Sequence, residues 1–147
     1  MKRRRKKGAL RECGECRACC VVLGFDADPN EAPFSKPHGT PCQHLIQIGC
    51  GIYEERPPVC RRFQCGWIQA PNLPEALRPD RCGVMFCTND NAYGQGYAVY
   101  AYELRSGAAD AELPQWLIGE LVQQLPVILV REDGHELLTT RPVRRRR

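Results

Sequence analysis

The sequence has few aromatic residues and no long apolar run. Aromatic side chains make up 7% of the 147 residues, so the hydrophobic core that they can help to build is modest. No segment approaches a run of about 20 consecutive apolar residues, the length that spans a bilayer. The basic start MKRRRKKGALRECGEC lacks the apolar stretch of a secretory signal. The sequence therefore predicts a cytoplasmic protein with no membrane partner.

Residues suited to burial are also scarce in one internal region. Residues 24–41 read GFDADPNEAPFSKPHGTP, in which turn-forming glycine, proline, asparagine and aspartate outnumber apolar side chains. A segment of this composition buries little surface when it folds. We expect this segment to need a stabilising cross-link that residues elsewhere in the chain supply.

Basic residues concentrate at the two ends of the sequence. Residues 2–7 are KRRRKK and residues 144–147 are RRRR, and neither run contains an acid. These ten groups leave 11 basic residues against 17 acids, so the body carries −6 although the whole chain carries +4. Such runs are typical of solvated tails, although they can contact phosphates. We predict basic tails at 1–7 and 144–147 and a single domain at 8–143.

Ten cysteines stand out in this sequence. Disulfides are kept reduced in the cytoplasm, so clustered cysteines there indicate a metal site more often than a disulfide framework. From Cys13 the spacing is C-x2-C-x2-C-C, and a C-x2-C step lets two thiolates converge on one ion. If this stretch is helical, Cys13, Cys16 and Cys20 share one face and Cys19 points elsewhere. The spacing predicts three ligands here, with the fourth thiol left to pack or to bind a second iron.

A second cysteine block follows, from TPCQHLIQIGC to RPPVCRRFQC. Arg56, Arg61 and Arg62 bring positive charge near these thiols, which lowers a thiol pKa and favours the thiolate that a metal requires. His44 lies two residues from the first cysteine of the block and is a candidate fourth ligand in a Cys3His site.

The order CGECRACC, CQHL and CGIYEERPPVCRRFQCGW resembles the YkgJ-like cysteine-cluster family of zinc- or iron-chelating proteins. The resemblance covers about residues 13–88. It implies that eight cysteines are the metal ligands, namely Cys13, Cys16, Cys19, Cys20, Cys42, Cys50, Cys60 and Cys65. The family's flanking positions are filled by Tyr53, Arg56, Pro57, Arg61 and Phe63.

The spacing leaves the metal open. A ferredoxin-type C-x2-C-x2-C is normally followed by x3-C-P, but here Cys20 comes at once. The C-x3-C-x2-C order of radical chemistry on S-adenosylmethionine is absent, because Leu23 holds the third position. Zinc takes four ligands, so eight thiols would need two zinc sites or leave several idle. An iron–sulfur cluster and zinc both suit soft thiolate ligands and remain alternatives.

The second half of the sequence has the pattern of an ordinary core. Residues 78–89 and 96–104 predict two antiparallel strands. Residues 110–125 predict an amphipathic helix, with Trp116 at its core or rim, and PVILVREDGHELLTT predicts a hairpin around Asp133-Gly134. Cys82 at the start of the first strand can reach the metal site, whereas Cys87 is expected to be a buried bystander.

Together these patterns predict an α+β fold. Residues 8–68 are expected to form a cysteine-rich, metal-stapled layer of helical and irregular structure, which we call the cysteine layer. Residues 69–143 are expected to form a small antiparallel sheet with one helix, which we call the sheet half.

The leading functional interpretation is a metal-chelating protein, with a structural role or a role in electron or metal handling. A methyltransferase-like enzyme assisted by its cluster is an alternative, because flagellin lysine N-methylases have a similar cysteine block. No glycine-rich nucleotide loop or acid/base pair supports an enzyme. A zinc-dependent nucleic-acid module that uses the basic tails is a third interpretation, which the acidic body disfavours. The sequence identifies no protein partner.

Overall fold

The computed structural model describes residues 11–13, 15–90 and 97–139 and confirms the α+β class. The basic tails at 1–7 and 144–147 lie outside the described residues, so their prediction stays open. The helices are α1 Ala18–Val22, α2 Pro58–Arg62, α3 Gly66–Gln69, α4 Pro79–Cys82 and α5 Glu112–Val122. Single 3-10 turns cover Tyr53–Glu55, Glu75–Leu77 and Ala108–Asp110. The strands are β1 Leu45–Ile46, β2 Gly49–Cys50, β3 Val84–Asp90, β4 Tyr97–Glu103, β5 Val127–Arg131 and β6 Gly134–Leu138.

The sheet half contains one four-stranded sheet with the strand order β3-β4-β5-β6. The predicted antiparallel pairing of β3 with β4 is confirmed. The prediction of a wholly antiparallel sheet is wrong, because β5 lies parallel to β4. The connection between β4 and β5 contains α5, and a crossover of this length is what a parallel pair requires.

The main hydrophobic core lies between one face of the sheet and the helices α3 and α5. The predicted helix over 110–125 is confirmed with shorter bounds, and it buries Leu117 and Ile118 against the sheet. Trp116 lies at the rim, 51% exposed. The core also takes Ala18 and Val22 from α1, so the cysteine layer and the sheet half share one core.

Helix α4 corrects the predicted strand at residues 78–89. Pro79 occupies the first helical turn, where its missing N–H costs nothing, and Asp80 lies at the positive end of the helix. Gly83 ends the helix in the left-handed conformation, with φ of 78°. The strand therefore begins only at Val84, and Cys82 is helical.

The predicted hairpin of β5 and β6 is confirmed, with its turn one residue earlier than expected. Arg131 pairs with Gly134, so the two loop residues are Glu132 and Asp133. Gly134, with φ of 148°, is already the first residue of β6.

The cysteine layer contains little regular structure. Its hairpin of β1 and β2 has two residues in each strand, and the loop at 24–41 is crossed by two isolated bridges, Phe25 with Lys36 and Asp28 with Ala32. Helix α1 begins only at Ala18, so the condition for a common helical face of Cys13, Cys16 and Cys20 is not met. A turn closed by the Cys16 amide on the Cys13 carbonyl precedes that helix.

No helix among the described residues is long and apolar enough to cross a membrane.

Candidate metal centre

The cysteine layer and the sheet half line an open cavity of about 960 Å³. Seven of the eight cysteines predicted as ligands line it: Cys13, Cys16, Cys19, Cys20, Cys42, Cys50 and Cys60. They come from the turn ahead of α1, from α1, from the β1–β2 hairpin region and from α2. Segments distant in sequence therefore bring their thiols to one place, as the resemblance implied.

Four of the eight thiols belong to the main core, pack against it or lie near Cys65, and we call them the core-side thiols: Cys13, Cys16, Cys19 and Cys65. Cys65 belongs to the main core, and Cys16 and Cys19 pack against it. Cys65 does not appear among the cavity-lining residues, but its charge raises the pKa of Cys13, which does line the cavity. Cys65 therefore lies next to the cavity, on the side of the core.

Backbone N–H donors lower the pKa of two of the core-side thiols. Cys65 is the N-cap residue of α3, and the backbone at Ile68 and Trp67 lowers the pKa of its thiol. The backbone at Ala18 and Asp80 lowers the pKa of Cys16. Burial nevertheless raises the pKa of Cys16 to about 11. These donors favour the thiolate, but burial outweighs them.

The other four thiols, the loop-side thiols, are Cys20, Cys42, Cys50 and Cys60. The Cys42 amide donates to the Cys20 carbonyl at 2.8 Å, which fixes the second cysteine block beside α1. Burial raises the pKa of Cys60, and the charges of Cys20, Cys42 and Cys50 raise it further. Cys60 therefore lies close to the other three loop-side thiols.

The adjacent residues Cys19 and Cys20 join the two groups. The Cys19 thiol donates a hydrogen bond to the Cys20 sulfur, and this bond lowers the pKa of Cys20 to about 7 while it raises that of Cys19. The cation of Lys36 contributes less to the pKa of Cys20. One proton shared by two neighbouring sulfurs thus stays on Cys19 and makes Cys20 more acidic than an ordinary thiol.

Lys36 is a buried cation at this site, with 5% of its surface exposed. Its ammonium donates to the carbonyl oxygens of Val21, Leu23 and Pro37, so it fixes the loop at 24–41 onto the end of α1. The Lys36 cation also lies close to four thiols whose charges raise its pKa against the larger lowering effect of burial, namely Cys42, Cys20, Cys19 and Cys60. Sequence reasoning missed this role because lysine is rarely buried without a partner.

The three arginines contribute less to the thiol pKa values than the sequence suggested. Arg56 lines the cavity and lowers the pKa of Cys13 and Cys60, but burial outweighs it at both. Arg61 donates to the carbonyl oxygens of Arg56 and Glu54. Arg62 forms an ion pair with Glu31. Of the three, Arg56 is therefore the arginine that acts on the thiols.

Two histidines lie near the cavity. His44 lines it, and its ring packs edge-on against Phe34 with the centroids 5.1 Å apart. His38 packs against the ring of Tyr102 at 5.6 Å. His44 thus stays a candidate ligand by position.

The two cysteines of the sheet half lie where the sequence did not suggest. Cys87, the expected bystander, lines the cavity, and burial raises its pKa to about 12. The Cys82 sulfur, expected to reach the site, hydrogen-bonds the backbone at Leu77 and Val84 and is not among the cavity-lining residues. Cys87 lies in β3 opposite Tyr100, on the sheet face towards the cavity, whereas Cys82 ends α4.

The donors do not form a closed coordination site. Within residues 11–13, 15–90 and 97–139, no three side chains of histidine, cysteine, aspartate or glutamate are arranged to hold one metal ion. All ten cysteines carry free thiols. The set of donors fits a soft metal by its chemistry, and their spacing is looser than a bound metal requires.

Comparison with known proteins adds no family: no family model, curated protein or solved structure matches this chain.

Proposed function

We propose that this chain is a metal-chelating protein that holds an iron–sulfur cluster or zinc through its clustered cysteine thiolates. The observation that carries the proposal is the meeting of seven predicted ligand cysteines, drawn from several distant segments, at one cavity. The resemblance to the YkgJ-like family supports the same function. We also propose a cytoplasmic location, where thiols are kept reduced.

The eight thiols divide four and four, and this division bears on how many sites there are. The core-side thiols would hold one metal or cluster and the loop-side thiols another, or all eight would share a single cluster with spare donors. Zinc would act as a structural link between distant segments, and an iron–sulfur cluster would carry electrons. Lys36 and Arg56 offset the negative charge of the thiolates in either case.

One observation supports the methyl-transfer alternative. An active metal site needs a substrate cleft beside it, whereas a structural site is closed. The cavity, at about 960 Å³, is larger than a metal centre needs. The chain purified without oxygen can be assayed for methyl transfer. Activity that rises and falls with the metal content would make this alternative the leading interpretation.

Metal analysis of the full chain purified without oxygen tests the proposal directly. Iron with stoichiometric sulfide and visible absorbance identifies a cluster, and a colourless protein with stoichiometric zinc identifies a zinc site. Protein that folds with neither metal, and takes up neither on reconstitution, contradicts the proposal.

Cysteine variants then count the sites. If there are two, Cys60→Ser and Cys16→Ser each lose about half of the metal, because each removes a ligand from one group only. If there is one, each variant loses nearly all of it. Cys82→Ser is the matched control, since its sulfur bonds backbone groups, and it should keep the full metal content.

Cys87→Ser tests the ninth thiol near the cavity. We predict that it keeps its metal and loses at most about 1–2 kcal/mol of stability, from placing a hydroxyl in a buried position. Metal loss equal to that of Cys60→Ser would make Cys87 a ligand and extend the site into the sheet.

A further inference from the structure

The cavity offers more space and a different lining than metal binding alone requires. Zinc–sulfur bonds are about 2.3 Å long, so a tetrahedral site fills a small volume. Pockets for small organic molecules are commonly about 300–1,000 Å³, mostly apolar, with a few fixed polar groups. At about 960 Å³ this cavity lies in that range, and its lining includes apolar side chains from the loop at 24–41 and from α2.

Two aromatic side chains of β4 form part of the cavity wall that the sheet supplies. Tyr100 and Tyr102 lie two residues apart in β4 and share one face of the sheet. Their rings stack at 5.6 Å with an interplanar angle of 14°. Burial raises the pKa of Tyr102, so its phenol stays neutral. We call these two residues the tyrosine wall, and both line the cavity.

A positioned guanidinium lies at the same cavity. The Arg56 side chain stacks over the ring of Tyr53, with its central carbon 3.9 Å from the ring centroid. Its Nε donates to the Tyr53 carbonyl at 2.9 Å, and Arg61 braces the segment by donating to the Arg56 carbonyl at 2.7 Å. A guanidinium fixed in this way presents its terminal nitrogens as a fork that matches a planar oxyanion.

The other cations at the cavity are already occupied. Lys36 donates to three carbonyl oxygens, and Arg62 is paired with Glu31. The lining contains one acid, Glu12, among the described residues. Arg56 is therefore the cation best placed to select a ligand by charge.

We propose that the cavity binds a small organic anion with a flat apolar body, whose carboxylate pairs with Arg56 and whose body lies against the tyrosine wall. The two contacts contribute differently to ligand binding. The aromatic surface supplies affinity through apolar burial and stacking, and the guanidinium supplies preference for the anion. The inference does not depend on which metal the thiols hold, or on whether they hold one.

Two probes of equal shape test the proposal: 2-naphthoate, which carries the anion, and 2-naphthamide, which does not. We expect equilibrium dialysis against the full chain as purified to give about tenfold tighter binding of 2-naphthoate, the size expected for a charge-assisted contact. Arg56→Gln should bring the ratio of the two affinities to about one, with 2-naphthamide binding unchanged. Tyr102→Ala should weaken both probes by a similar factor and keep the ratio.

Two control variants and one backup variant accompany the test. Arg81→Gln removes an exposed arginine paired with Glu75, and Tyr97→Ala removes an exposed tyrosine of β4 outside the cavity lining. Both should leave the two affinities unchanged. If Arg56→Gln folds poorly, Arg56→Lys keeps the charge without the fork and should give an intermediate ratio.

The possible failures are distinct. Equal affinity of the unmodified chain for both probes, or a ratio unaffected at Arg56, overturns the proposal and leaves Arg56 as a counter-charge for the thiolates. Binding of neither probe overturns it as well. Metal content measured on the same samples keeps a failure of the metal site separate from a failure of the ligand site.

Discussion

The cysteine layer and the sheet half use different means to fix their backbones. The sheet half pairs β3 with β4 over seven residues and extends the ladder through β5 and β6. The cysteine layer has strands of two residues and helices of four or five. A long strand ladder stabilises the first, whereas isolated backbone hydrogen bonds and contacts from single side chains hold the second. The difference indicates where a bound metal contributes most to folding.

The largest expected effect is from metal withdrawal. We expect a strong chelator to abolish amide-exchange protection in the cysteine layer, because metal binding energy there is also folding energy. The amides of β3, β4 and β5 should keep their protection, since the strand ladder does not use the eight candidate ligand thiols. Hydrogen exchange read by mass spectrometry measures both halves in one sample. Equal loss in both halves would show that the shared core unfolds as one unit.

Truncation of a core residue in the sheet half should lower the stability of the chain without changing its metal content. Leu77 is 1% exposed and packs in the main core. Leu77→Ala should cost about 2–5 kcal/mol, through lost burial and the cavity that remains. Denaturant unfolding measures the cost, and metal content should not change. Leu137→Ala, at an exposed site of β6, is the matched control. A metal content that falls with stability would tie the site to the core.

Removal of the buried cation should have a smaller effect, within the cysteine layer. Lys36→Met keeps the length of the side chain but leaves the carbonyl oxygens of Val21, Leu23 and Pro37 without their donor. The loss should be about 1–3 kcal/mol, the usual cost of unsatisfied buried polar groups. Ser35→Ala removes an exposed hydrogen bond from the same loop and should cost within about 0.5 kcal/mol. Equal costs for the two variants would show that the Lys36 contacts contribute no net stability.

The sequence predicted most of the sheet half because its signals are local. Leu113, Leu117 and Leu121 recur at helical spacing, and the hairpin of β5 and β6 follows from a turn between apolar runs. The parallel pairing of β4 with β5 could not be predicted, because the residue pattern of a strand does not indicate which strand lies beside it. Helix α4 was missed because the proline that begins it also resembles a strand boundary.

The candidate site was predictable by residue type and less so by position. Cysteine spacing and the family resemblance indicated the thiols that line the cavity. The position of Cys82 away from the cavity followed from the missed helix, which moved Cys82 out of the strand. The burial of Lys36 depends on three carbonyl oxygens that only the folded backbone brings together. No spacing rule predicts such a contact.

The N-cap position of Cys65 makes the chain its own optical reporter. Trp67 follows two residues later, is 6% exposed, and lies in the main core together with Cys65. The other tryptophan, Trp116, lies at the solvent-facing rim of α5. A change in the electronic state of the sulfur at Cys65 therefore reaches one buried indole and leaves the exposed one as an internal reference. Emission from the blue side of the fluorescence spectrum should follow occupancy of the core-side thiols in real time, without a label.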